Sequence, residues 1–392
     1  MTTRLPWAEA RQAAHAAGQS RSLLPELLPL DKSIGRLLAV DVTTSIDIPH
    51  FASSAMDGWA VTGEGPWRVT RAGRRAGEAR KVVTGDVVFD DEFAVLRLES
   101  GTTDEDILFS ARLDEPRPGQ HVRPTAAEAD HGETLIRKGT LLNPAHIALA
   151  ASAGIDHLEV SAEPGVHLLL TGDEVITQGV PGVGQVRDSF GVQLPAVLRL
   201  LGAEVRESSR VRDDLTATSQ AIEESTAPLV ISTGGTGSSS ADHVRRALRG
   251  LGADILVDGI AMRPGGPSRI ARLPDGRLIV CLPGNPLAAM VVAISILEPL
   301  IAGMAGRDPR AFDLTRGLHF EGRPGSTLLV PVQVRDQRPS PAAWRGAAMM
   351  RGLADADALL VVPEAGCGLD DPARLLTLPW RQASPAWLLG AR

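Results

Sequence analysis

Residues 166–172 read VHLLLTG, 189–202 SFGVQLPAVLRLLG, 204–211 EVRESSRV, 215–226 LTATSQAIEEST and 227–235 APLVISTGG. Apolar runs of strand length alternate here with segments whose apolar residues recur three and four apart. The alternation continues through ADHVRRALRGLG at 241–252, RLIVCLPGN at 277–285 and PLAAMVVAISILEPL at 286–300. Strands and helices in that order imply right-handed crossovers and a mostly parallel sheet covered on both faces. Residues 163–308 therefore read as an α/β domain, within a chain whose fold class is multidomain α/β and β.

The pattern changes on either side of this domain. Residues 7–19 and 32–40 predict short helices. Residues 45–51, SIDIPHF, are extended and end at the loop SSAMDGWAV, 53–61. From Trp67 to about Leu113, short pieces such as VVFDDEFAVLRLE and ILFSARL, split by Gly and Asp, predict a small β domain. Residues 144–154 return to helix, with Pro144 at its start and Gly154 as a left-handed terminator. Beyond Asp308, the runs STLLVPVQV, ALLVVPE and ARLLTLPW predict a small C-terminal β-barrel.

Bulk properties bound the function. A chain of 392 residues is too long for one core and suits two to four domains. With aromatics at 3% and no Tyr, the cores must be filled by aliphatic side chains. Forty Gly and 28 Pro favour tight turns and ligand loops over long helical bundles. A net charge of -7 offers no basic face for nucleic acid. Cys281 and Cys367 match no metal or redox spacing, which fits a reducing compartment. The N-terminal stretch is interrupted by charge and does not read as a signal peptide. No apolar run reaches the ~20 residues of a membrane span. The nearest, 287–301, contains Glu298 and Pro299. The expectation is a soluble, cytoplasmic protein without a membrane or nucleic-acid partner.

In an open α/β sheet, ligands bind at the carboxyl ends of strands, so the loops there carry the candidates. Thr171-Gly172-Asp173-Glu174-Val175 sets two acids at one such end, and reads equally as a solvated turn. Gly234, Gly235, Thr236, Gly237, Ser238 and Ser239 form a glycine- and hydroxyl-rich link to a helix. Backbone N–H groups, hydroxyls and a helix N-terminus are what a phosphate site needs, although a structural turn would look the same. The link is neither a Walker motif nor a GxGxxG fingerprint. Pro283, Gly284 and Asn285 precede another helix, with Asn285 suited to N-cap it and Pro286 to begin it. Asp213 and Asp214 form a further strand-end acid pair. Asp57, in SAMDG, lies in a short loop outside the α/β region. The arginines within 71–80 read as a solvated basic face. No histidine grouping and no GxSxG elbow is present. A phosphate-friendly loop beside strand-end carboxylates suggests a metal-bridged phosphate or diphosphate, with carboxylates holding Mg²⁺.

The collinear set SAMDGWAV, VVTGDVVFDDEFAVLRLE, TGDEV, GQVRDSFG, VRDD, STGG with AD, AMRPGGP, LPGNP and GLADADALLVVPE resembles the MoeA family, also seen in the E domain of gephyrin. The resemblance implies an elongated domain (1–44 and 145–162) interrupted by an inserted β domain (45–144), an α/β molybdopterin-binding domain (163–308) and a C-terminal β-barrel (309–392). It implies a homodimer that uses Mg²⁺ to insert molybdenum from molybdate into adenylylated molybdopterin, releasing AMP. Molybdopterin adenylyltransferase and apo-molybdoenzymes are the partners it implies. Asp57, Thr84 and Asp242 match its catalytic positions, and Glu174 and Asp213 its metal-side acids. Where the family reads roughly W-K-x-x-x-K-P-G-K-P, residues 258–267 here read DGIAMRPGGP. Arg263 keeps one cation, while Gly259 and Gly266 replace two lysines, so oxyanion binding needs other arginines. Arg269 and Arg272 are the candidates nearest in sequence. The family's Arg-Gly-Glu-Asp stretch is replaced by Arg123-Pro124-Thr125-Ala126. Gly-Gly-Thr-Gly at 234–237 resembles molybdopterin adenylyltransferases, which makes adenylyl transfer an alternative. A paralogue that binds molybdopterin or a protein partner without catalysis is another.

Overall fold

The computed structural model describes residues 4–234, 236, 243–316, 319–335 and 338–382. It divides into two compact units: residues 25–161, and the chain before and after them.

Within residues 25–161 the chain runs out and back through nested antiparallel pairs. Glu26–Pro29 pairs with His157–Val160, Val42–Thr43 with Thr134–Ile136, and Ser53–Ser54 with Val122–Arg123. Between the innermost pair lies a six-stranded sheet that includes Gly58–Thr62, Glu78–Val82 and Ala94–Arg97. Trp59, Val61, Trp67, Leu96 and Leu108 fill one of its faces. The helix expected at 32–40 shrinks to Leu30–Ser33. Gly35 takes φ +79° and ends it, and Leu37 and Leu38 instead bridge to Leu141 and Val160. Asn143 caps the helix Pro144–Ser152 by accepting from the His146 N–H, and Gly154 turns the chain at φ +75°. The arginines of 71–80 are partly engaged: Arg80 pairs with the buried Glu92 and Arg74 with Asp91.

The second unit contains the α/β sheet, in the order Glu204–Val211, Gly165–Thr171, Leu229–Ser232, Leu278–Cys281, Arg269–Arg272, Asp254–Asp258. The first four strands are mutually parallel, Arg269–Arg272 runs against them, and Asp254–Asp258 pairs antiparallel to Arg269–Arg272. The sheet is therefore mixed. The link between Arg272 and Leu278 is closed by a Leu273 N–H bond to the Arg277 carbonyl with Gly276 at φ +86°, which leaves room for a hairpin but not for a crossover helix. Alternation along each strand feeds two cores. Leu168, Leu229, Ile231 and Val280 meet Leu194 and Leu198 on one side. Leu169, Val230 and Ile279 meet Ile222, Val244 and Leu248 on the other.

The run Pro286–Met304 is long and apolar enough to cross a membrane by length and composition, but it lies buried in this core. It passes through a π-helical stretch, Ala293–Leu297. Pro299, having no N–H, cannot bond the Ser295 carbonyl, and the buried Arg11 guanidinium donates to that oxygen instead at 2.9 Å. Arg11 belongs to the helix Trp7–Gln19, which packs on Glu298–Met304. Gly18 and Gly303 permit the approach: a Cβ on Gly18 would meet the Leu300 carbonyl oxygen at 2.1 Å, and one on Gly303 that of His15 at 2.3 Å. Residues 4–24 thus belong to the compact unit that holds the α/β sheet.

The C-terminal segment does not form a sheet alone. Thr327–Arg335 pairs with Ala358–Val362 on one edge and with Ile260–Arg263 on the other, and Ile260–Arg263 pairs with Leu5–Pro6. Among the described residues the resulting seven-stranded sheet is open, with no pairing between its ends, instead of the closed barrel expected from 309–392. Cys281 and Cys367 are both buried, in separate cores, and are not joined to each other.

Candidate functional site

Within the unit of residues 25–161, Asp57 and Thr84 meet. The Thr84 backbone N–H and hydroxyl both donate to Asp57 Oδ1, at 2.7 and 2.8 Å. The backbone bond first, and the hydroxyl second, hold this exposed carboxyl below the usual aspartate range. Oδ2 has no partner among the described residues, so the group stands ready as an anion. The loop is fixed from behind. The Ser54 N–H donates to the Asp86 carbonyl, the Gly85 N–H to the Ser54 carbonyl, and the Ala55 N–H to the His121 carbonyl, each at 2.8 Å. Gly58 must follow Asp57, because a Cβ there would sit 2.0 Å from the Leu96 carbonyl oxygen of the adjacent strand.

In the α/β unit, a cavity of about 330 Å³ opens at the carboxyl ends of the four parallel strands. Thr171 and Thr233 line it from adjacent strand ends. The Thr171 N–H donates to Thr233 Oγ1, and the Thr171 hydroxyl to the Thr233 carbonyl, both at 3.2 Å. Gly234 follows closely enough that a Cβ would lie 2.5 Å from Thr171 Oγ1. Glu174, Gly284 and Asn285 also line this cavity, as the sequence suggested for strand-end loops. Asn285 stands at the helix start without making a side-chain cap bond, contrary to the capping expectation.

Two residues of this cavity had no assigned role in the sequence reading. Asp188 accepts the Phe190 and Gly191 N–H groups on Oδ1, each at 3.0 Å, and the Arg210 guanidinium on Oδ2 at 2.5 Å. It starts the helix Phe190–Leu200 and fixes a cation at the cavity wall. The motif GQVRDSFG contains Asp188, but only the fold brings Arg210 to it. Asp213 is exposed and lines neither this cavity nor the next. Asp214 is structural, accepting the Ala217 N–H at 2.8 Å to cap Leu215–Glu224. Thr236 is described but lines neither cavity. Gly235, Gly237, Ser238, Ser239 and Asp242 lie outside the described residues.

A second cavity, about 510 Å³, shares Asn285 with the first. Arg263 and Pro283 line it, together with Arg4 and Arg345, which the sequence reading did not single out. Among the described residues no carboxylate lines it. The cations expected to replace the missing lysines are elsewhere. Arg269 is buried and bonded to Asp258 at 2.6 Å, and Arg272 donates to Ser20 Oγ at 3.2 Å. A larger cavity, about 770 Å³ between Asp313–Thr315 and Arg381, lies away from the parallel strand ends and contains no candidate residue.

The described residues contain no group of three side chains suited to a metal ion. Magnesium needs fewer, since it takes one or two carboxylates and completes its shell with water and substrate phosphate. Glu174, which forms no ion pair among the described residues, fits as one such ligand; Asp213 follows the neighbouring strand end and does not line the cavity.

Comparison with known proteins decides the family. Residues 5–154 match the MoeA N-terminal region (domain I and II), and residues 167–303 a probable molybdopterin binding domain. A molybdopterin molybdenumtransferase of Nostoc sp. is 32% identical over 305 residues, 72% of this chain and 70% of that one. The chain belongs to the MoeA family. The Haemophilus influenzae molybdopterin molybdenumtransferase is 30% identical over 317 residues, 74% of this chain and 77% of that relative. A molybdopterin biosynthesis MoeA protein of Pyrococcus horikoshii has the same multidomain α/β fold, with TM-score 0.77, 24% identity, and coverage of 96% of this chain and 99% of that one. The family matches cover Asp57 and all but one of the residues that line the strand-end cavity.

Proposed function

We propose that this MoeA-family chain is a molybdopterin molybdenumtransferase that inserts molybdenum from molybdate into adenylylated molybdopterin and releases AMP, acting as a homodimer in the cytoplasm. The observation that carries the reading is the pair of cavities joined at Asn285. One has Glu174, Asp188 and Arg210 at the ends of parallel strands; the other has three arginines and no carboxylate among the described residues. Two charge environments side by side suit a substrate pair in which a phosphoanhydride must lie next to a free oxyanion.

In this reading the first cavity takes the phosphate linkage of the pterin. Thr171 and Thr233 supply hydroxyl groups, and Arg210, held by Asp188, supplies positive charge. Glu174 is the side chain here that would hold Mg²⁺, which when bound neutralises charge developing on the anhydride. The second cavity takes molybdate through Arg263 and its neighbours. Asp57, matched to the family's catalytic aspartate and kept ionised by Thr84, acts on the reacting groups as a base or as a fixed negative charge.

The test is complementation of a strain lacking its own insertase. The chain is expected to restore molybdoenzyme activity at ordinary molybdate levels. Failure to restore it at any molybdate concentration, with the protein present and folded, would contradict the reading. It would then leave adenylyl transfer or binding alone, which an assay with ATP and metal-free molybdopterin separates.

A further inference from the structure

The arginine-lined cavity draws one of its cations from the other end of the chain. Leu5–Pro6 pairs in parallel with Ile260–Arg263, with Leu5 beside Ile260, and the Leu5 N–H donates to the Gly259 carbonyl at 3.1 Å. This register sets Arg4 next to Gly259, and its side chain then runs across two glycines. A Cβ built on Gly259 would lie 3.3 Å from Arg4 Cγ, and one on Gly266 would lie 3.0 Å from Arg4 Nη1. The same Cβ on Gly266 would sit 2.9 Å from the Met262 carbonyl oxygen, so the backbone could not give way. A side chain at 266 and the guanidinium of Arg4 therefore compete for one space.

Arg4, Arg263 and Arg345 make no ion pair among the described residues, although the chain pairs many of its other arginines. Three cations sharing a concave wall repel one another until an anion enters, and a guanidinium fork matches the edge of a tetrahedral oxyanion. We infer that Arg4, delivered by the N-terminal strand onto Gly259 and Gly266, is a binding residue for a tetrahedral dianion in this cavity, and that it completes the site begun by Arg263 and Arg345. The inference rests on the oxyanion reading of the cavity proposed above and names the residue on which its affinity depends.

The experiment titrates the full chain with molybdate, tungstate, sulfate and phosphate by calorimetry at low ionic strength. Arg4→Gln and Arg4→Lys are compared with wild type and with Arg249→Gln, which removes the same charge from the exposed end of the helix His243–Gly250. Arg4 is exposed, so its replacement leaves the core intact. Arg4→Gln is expected to weaken molybdate binding about tenfold, Arg4→Lys less, and Arg249→Gln by under about twofold. Tungstate, sulfate and phosphate should compete for the same site, being alike in shape and charge. In turnover, Arg4→Gln should raise the molybdate KM and leave kcat in place, a split that a merely structural role would not produce. Binding by Arg4→Gln equal to wild type, or a wild-type chain that turns over molybdate with Arg4→Gln showing the same KM, overturns the inference. Arg4-dependent binding by a chain that transfers no molybdenum upholds it and removes the transferase reading instead.

Discussion

Asp57→Ala is expected to abolish turnover, lowering the rate of AMP release by about a thousandfold or more, as loss of a positioned acid–base group does. Substrate binding should survive, because the phosphate-side and oxyanion-side residues lie in the α/β unit and Asp57 does not. The exposed position of Asp57 and its anchoring through Oδ1 alone mean that the substitution removes a carboxylate without opening a core. The pH dependence follows from the same contacts. A carboxyl whose folded pKa is depressed keeps its charge as pH falls through the range where an ordinary aspartate titrates, and loses it only below the folded value. Thr84→Val removes the hydroxyl donor but keeps the backbone one. The acidic limb of the pH–rate profile should therefore move towards neutrality in Thr84→Val, with the plateau rate less affected. An unchanged profile would show that Asp57 does not carry the titrating step.

The second large effect concerns stability. Glu298 is 1% exposed and receives Arg307 at 2.9 Å, Arg11 at 3.5 Å and the Arg310 backbone N–H at 3.2 Å. Burial pushes the Arg11 guanidinium below its ordinary value, and the charge of Glu298 opposes that shift. Glu298→Ala leaves Arg11 buried without its counter-charge and empties the carboxylate's place. Breaking a buried pair from one side costs about 3–5 kcal/mol. The thermal midpoint of the variant should fall by about 5 °C or more. Hydrogen exchange should show the loss first in the helix Trp7–Gln19, whose Arg11 depends on this contact. Because Leu5–Pro6 and Arg4 precede that helix directly, weakened molybdate binding should accompany its loosening. A midpoint within about a degree of wild type would mean that Gly18 and Gly303 seat the helix by backbone contact alone.

The parts of the fold legible in the sequence are those with local causes. The four parallel strands and their helices announce themselves through apolar runs and helical periodicity, and the strand-end loops follow from them. Pro144 and Gly154 are readable as helix punctuation because start and stop signals involve neighbours in the chain, whereas the Asn143 cap appears only in the structure. Non-local pairing was not readable. The C-terminal sheet needs Leu5–Pro6 and Ile260–Arg263, separated from it by long stretches of chain. The antiparallel strands Asp254–Asp258 and Arg269–Arg272 are short and bounded by charged residues, so no long apolar run marks them. The helix expected at 32–40 had the right periodicity, but Gly35 and two β-bridges overrode it.

The site divides in the same way. Asp57 meets Thr84, and Glu174 and Asn285 line one cavity, all four being residues that the sequence singled out one by one. Asp213 does not line the cavity that Glu174 lines. Asp188 with Arg210, and Arg4 with Gly266, depend on which strand lies beside which, and no spacing in the sequence signals that. Nearness in sequence points to Arg269 and Arg272 as the replacement cations. One is committed to Asp258 and the other bonds Ser20, whereas Arg4 and Arg345 reach the cavity from distant parts of the chain.

The most direct measurement is AMP release by the purified chain from adenylylated molybdopterin with Mg²⁺, with and without molybdate. The account predicts release that depends on molybdate and on Mg²⁺ and is matched by molybdenum bound to the pterin product. Substrate bound in the presence of both ions, with no AMP released and no molybdenum in the pterin, would contradict it.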